Sequence, residues 1–139
     1  MLGQLLIAGL LLAVCVLIHA FGTLAVQKQL QRRARARSRA ERLHPFALLV
    51  LLFVLIFALH AFEVVVWAVA YWLIDALPTV EEAVYFSLSS YTTVGYGDVV
   101  LGLHWRILGA AEAAVGILLL GWSTALLFGV IQHLYQHPD

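Results

Sequence analysis

Tyr91-Thr92-Thr93-Val94-Gly95-Tyr96-Gly97-Asp98 is the stretch on which the fold turns. A backbone that alternates between negative and positive φ can aim successive carbonyls at one axis. Glycine takes the positive values with no Cβ clash, so Gly95 and Gly97 are expected at those positions. Four copies of such a strand can replace the water lost by a dehydrating cation. The predicted ligands are the carbonyls of Thr93, Val94, Gly95 and Tyr96, ending at Gly97, together with the Thr93 hydroxyl. The side chains of Val94 and Tyr96 are expected to point away and wedge the loop against the surrounding helices.

Working outward, Thr79 to Tyr91 is too short to cross a bilayer. It opens with Thr79-Val80-Glu81-Glu82, a capping box in which Thr79 caps the start and Glu82 reaches back. It therefore predicts a short helix over 79–91 that enters a membrane part-way, its negative C-terminal end aimed at the loop, which favours a cation. Two long apolar runs flank this unit, 45–75 and 104–135. Trp67, Tyr71 and Trp72 crowd the far end of the first, as an interfacial aromatic belt does. A third run, Leu2 to Val26, carries no charged residue and is long enough for a hydrocarbon core of roughly 30 Å. No Lys or Arg precedes it and it is long for a signal peptide, so a membrane helix over 1–26 is expected.

The rest of the composition agrees. Of 139 residues 63% are hydrophobic and 12% charged, and the mean hydropathy is +0.96. Too few polar groups exist to coat a soluble surface. The fold class expected is an all-α membrane protein: three transmembrane helices plus a re-entrant pore helix and loop. The single cysteine, Cys15, lies in an apolar run and reads as a small buried hydrophobe.

Net charge is zero, yet seven of the eight basic residues lie between Lys28 and Arg42. This 27–44 linker is rich in Ala, Arg and Gln, so the first helix can run on into it as a polar helix. By the positive-inside rule the linker and the C-terminus are cytoplasmic, and the N-terminus and the 75–103 segment are outside. The arginines are too polar a segment to insert as a voltage sensor. They are hemmed between membrane helices, which disfavours nucleic-acid binding. Contact with anionic lipid head groups at Lys28–Arg42 is the expected role.

Taken together, 45–139 resembles the pore domain shared by potassium channels, and more narrowly the small bacterial ion-channel proteins of the two-transmembrane-pore class. The resemblance rests on His60-Ala61-Phe62-Glu63, Tyr85-Phe86-Ser87, Tyr91 to Asp98, and Gly121-Trp122-Ser123-Thr124-Ala125. It implies an outer helix, a pore helix, a selectivity filter over 92–98 and an inner helix, in a homotetramer of the cell (inner) membrane that passes K+ ions. It also implies an inner-helix hinge at Gly116, with Gly121 as second candidate, although close helix packing explains either glycine as well. From that alignment Ile117, Leu120 and Thr124 line the cavity and Phe128 forms a constriction. Some channels carry a glutamate behind the filter; the matching position here is Ser89, so Tyr85, Ser89 and Asp98 are the candidate braces.

Glu63 and Glu112 fall inside spanning segments and are expected to face protein. His60 and Glu63 share a helix face, but one helix offers too few ligands for a metal, and ordinary internal hydrogen bonding is expected. His19 reads as a packing residue. Glu112 is expected to brace the back of the pore helix at Ser89 or Ser90 and to make the pore pH-dependent. No catalytic constellation is present, so an enzyme is not expected. The alternatives are a weakly selective cation channel or a non-conducting accessory membrane subunit.

Overall fold

The computed structural model describes residues 2–34 and 45–136. Four helices follow one another: α1 (Leu2–Ala34), α2 (Pro45–Leu73), α3 (Val80–Tyr91) and α4 (Arg106–Gln136). No strand occurs among the described residues. α1, α2 and α4 are each long and apolar enough to cross a membrane. α1 does run on into the polar linker, as far as Ala34. Arg35, Arg37, Arg39 and Arg42 lie outside the described residues, so the lipid-contact expectation falls largely there too.

Each long helix turns one stripe inward at i+3 and i+4 spacing. On α1 it is Gln4, Ala8, Cys15, His19 and Thr23; on α2 it is Leu52, Ile56, His60, Glu63, Trp67 and Tyr71. On α4 it is Leu108, Glu112, Val115, Leu119 and Ser123. α1 packs on both α2 and α4 of its own chain, and α3 is wedged between α2 and α4. Gln4 Nε2 donates to the carbonyl of His104. The N-terminus of α1 therefore lies at the same end of the bundle as the start of α4.

The sequence places Trp67, Tyr71 and Trp72 in an aromatic belt, and the structure corrects this for two of them. Trp67 and Tyr71 are fully buried, whereas Trp72 is about half exposed. Trp67 and Tyr71 sit four apart on the stripe that faces the other helices; Trp72 turns outward. α2 closes with paired bonds from Ala76 N to the Tyr71 carbonyl (2.9 Å) and from Asp75 N to that of Trp72 (3.2 Å). Asp75 takes φ 53° there, the left-handed position of a Schellman cap more often held by glycine.

Thr79 caps α3 as expected, its hydroxyl accepting from Glu82 N at 3.1 Å. The reciprocal half of the capping box does not form: Glu82 Oε2 is buried with no hydrogen-bond partner among the described residues. At the other end Thr92 caps α3, its N–H donating to the Leu88 carbonyl at 3.2 Å and its hydroxyl to the same oxygen at 2.7 Å.

Candidate functional site

From Thr92 onward the chain leaves helical geometry. Positive φ recurs at every second residue: Thr93 (62°), Gly95 (58°) and Gly97 (81°). The alternation expected for the two glycines is present and extends one step earlier, to a β-branched residue. A threonine at positive φ is costly, of order 1–3 kcal/mol, and persists only where its surroundings impose it. No sequence rule assigns threonine to that position, so its strain was not legible beforehand.

What imposes it is the end of α3. The Ser89 carbonyl accepts from both Val94 N (3.0 Å) and Gly95 N (3.1 Å), and the Ser90 carbonyl accepts from Thr93 N (2.9 Å). Tyr96 N donates to the Ser89 hydroxyl at 3.3 Å. Ser89 thus holds three successive amides through two oxygens. Those amides are tied to α3, and among the described residues no backbone amide donates to the carbonyls of 93–97.

Beyond Gly97, Tyr85 donates its hydroxyl to Asp98 Oδ2 at 2.7 Å. Its ring stacks on Tyr96, centroids 6.3 Å apart and 14° from parallel. Tyr85, Ser89 and Asp98 therefore all meet the loop. The Tyr85 hydroxyl holds the Asp98 carboxyl below the usual carboxylate range, assisted by the Val99 amide. The same bond pushes the Tyr85 phenol up.

Glu112 does not reach Ser89 or Ser90. It accepts from the Tyr71 hydroxyl at 2.7 Å, and the Ser87 hydroxyl is shared between Glu112 Oε1 (2.5 Å) and the Val64 carbonyl (2.8 Å). Residue 87 lies on the α3 face that packs against α2 and α4, so the brace acts two residues earlier than expected and ties α2, α3 and α4 together.

Gly116 packs against Tyr91. A Cβ there would overlap the Tyr91 carbonyl oxygen and lie 2.8 Å from its carbon, whereas a Cβ at Gly121 would meet nothing. α4 is continuous helix through both positions. Ile117, Thr124 and Phe128 share the open face of α4, with Leu120 half-buried beside them, and Thr124 donates to the Leu120 carbonyl at 2.9 Å. An open groove of about 370 Å³ runs behind the loop, lined by Ser90, Thr93, Gly95, Arg106 and Ala113.

The expected His60–Glu63 bond is present at 3.0 Å, but the pair is not confined to one helix. His19 of α1 meets the other carboxylate oxygen of Glu63, also at 3.0 Å. Tyr91 donates to Glu63 Oε2 and lies 2.8 Å from His60 Nδ1. His19 was expected only to pack. Its fourfold spacing from Cys15 and Thr23 on the buried stripe was the available signal, but helix pairing was needed to see what that stripe faces.

Residues 46–133 match the family model described as an ion channel. Searches of curated proteins and of solved structures return no match.

Proposed function

Since the chain belongs to the ion-channel family, matched over more than half its length, we propose that it is a potassium-selective pore subunit that assembles as a homotetramer. The observation that carries this reading is the alternating backbone of Thr93, Gly95 and Gly97, hung from Ser89 at the end of a half-helix. One such strand supplies a quarter of a carbonyl-lined site, so four copies around an axis complete it. Potassium ions shed water onto the carbonyls of Thr93 to Tyr96 and the Thr93 hydroxyl, and move in single file down their gradient. Ile117, Leu120 and Thr124 line the cavity below, and Phe128 narrows it. The chain crosses the cell membrane with the N-terminus and filter outside and the basic linker inside, against anionic lipid.

One observation favours a second reading, a weakly selective cation pore. The bond from Tyr96 N to the Ser89 hydroxyl is long for a filter brace. Flux from purified protein in liposomes, under potassium and then sodium gradients, separates the two. Strong potassium preference, blocked by barium and lost in Gly95→Asp, is the expected result. Equal flux of both ions keeps the channel and rejects selectivity. No flux from a verified tetramer favours an accessory subunit instead.

A further inference from the structure

We propose that His19, His60 and Glu63 form a buried site for a divalent transition metal of the zinc class, which fastens α1 to the pore module. The ligand-capable atoms of these three residues lie within 4.8 Å of one another, and all three side chains are buried. Ligands around one tetrahedral zinc stand about 3.3 Å apart at bond lengths of about 2.0–2.1 Å, so modest side-chain torsion closes the set. Two imidazoles and one carboxylate, with a fourth position open, is an established donor set for this ion. The Tyr91 hydroxyl, 2.8 Å from His60 Nδ1 and bonded to Glu63, lies beside this set.

The hydrogen bonds on the far side of both rings point the same way. His60 Nε2 lies 2.9 Å from the Ser123 hydroxyl, and His19 Nε2 lies 3.3 Å from the same oxygen. If both Nδ1 atoms carry protons toward Glu63, both Nε2 atoms are lone pairs, and Ser123 has one proton to share between them. If both Nε2 atoms carry the protons, the two lone pairs of Ser123 accept both. Each Nδ1 then presents a lone pair to the Glu63 carboxylate, and a cation completes the arrangement. Metal-bound histidines are usually oriented in this way, by an acceptor on the opposite ring nitrogen. One added proton shared between the rings is the competing way to satisfy the cluster.

The site joins elements that the family match does not. His19 lies in α1, outside residues 46–133, while Tyr91 is the last residue of α3 before the loop. Metal occupancy therefore ties α1 to the end of the pore helix.

The test is metal analysis of the purified, membrane-reconstituted full chain, with cobalt(II) titration as the spectroscopic probe. The expected result is one zinc per chain and the intense visible absorption of four-coordinate cobalt. Glu63→Gln and His19→Gln should lower zinc content at least tenfold, and Ser123→Ala should weaken affinity about 10–100-fold. His104→Gln, at an exposed histidine remote from the cluster, should leave both readouts unchanged. A wild-type protein without stoichiometric zinc and with a six-coordinate cobalt spectrum overturns the proposal and leaves the shared proton. Retention of zinc by folded His19→Gln overturns it as well. Ion flux does not enter either readout, so this test and that of potassium permeation fail independently.

Discussion

Tyr91 belongs to two regions built on different terms. Its side chain is fully buried among His19, His60 and Glu63, while its backbone runs into a loop whose residues 92–98 are all exposed. In the buried cluster, side chains from α1, α2, α3 and α4 meet within one chain. In the loop, Val94 and Tyr96 are 54% and 72% exposed, and amides rather than carbonyls are tied down. A single chain thus packs its buried cluster closed and leaves the loop open. On the proposed tetramer reading, further copies of the chain would cover the exposed apolar side chains of Val94 and Tyr96.

The sharpest way to break that division is at Gly116, where α4 touches the Tyr91 backbone. Gly116→Ala pushes a methyl into the Tyr91 carbonyl, just before the loop, and backbone cannot move aside as a flexible side chain can. Overpacking of this kind costs about 1–3 kcal/mol. Thermal unfolding of the reconstituted protein should show the loss. Gly121→Ala, which meets open space within the chain, should instead gain about 0.5–1 kcal/mol in helix preference. Equal stability of the two variants, with altered open probability in Gly116→Ala alone, would favour a hinge at Gly116.

An effect of similar size is expected on the scaffold side. Glu112→Ala leaves the Tyr71 hydroxyl buried without its acceptor, while Ser87 keeps the Val64 carbonyl. One orphaned donor costs about 1–3 kcal/mol. Glu112→Gln keeps a carbonyl oxygen for Tyr71 and should lose less. The measurement is the same unfolding experiment, with potassium flux alongside. Unchanged stability in Glu112→Ala would show that α2, α3 and α4 hold together without this junction.

The sequence makes the backbone features and the nearby pairs His60–Glu63 and Tyr85–Asp98 legible, and hides side-chain pairings between the long helices. Three apolar runs, the Thr79 cap and the two glycines of the loop follow from local chemistry: length, capping and φ. Thr93 at positive φ does not, because the constraint comes from Ser89 and Ser90 across the turn. Trp67 and Tyr71 read as a belt because composition locates them near a helix end but does not say which way they face. The sequence points Glu112 at Ser89 or Ser90, but Ser87 is the serine that meets its carboxylate. His19 shows the limit most clearly. Its role depends on α1 lying against α2 and α4, and no local pattern in 1–26 names the partner helix.

The smallest expected effect lies at the outer edge of the loop, where Tyr85 holds Asp98. The Tyr85 hydroxyl favours the charged carboxylate, so the Asp98 carboxyl titrates below its usual range in the folded protein. A depressed carboxyl stabilises the fold above its unfolded value, and that contribution is lost as pH falls through the folded value. Tyr85→Phe keeps the ring against Tyr96 and removes only the donor. The Asp98 titration, followed by carboxyl-carbon NMR, should move up toward the ordinary aspartate range, and any acid inhibition of flux that follows Asp98 should move up with it. Both groups are exposed, so unfolding temperature should barely change. An Asp98 titration that stays in place would mean that the Val99 amide, 3.1 Å from the other carboxylate oxygen, suffices to hold the charge at the end of the loop.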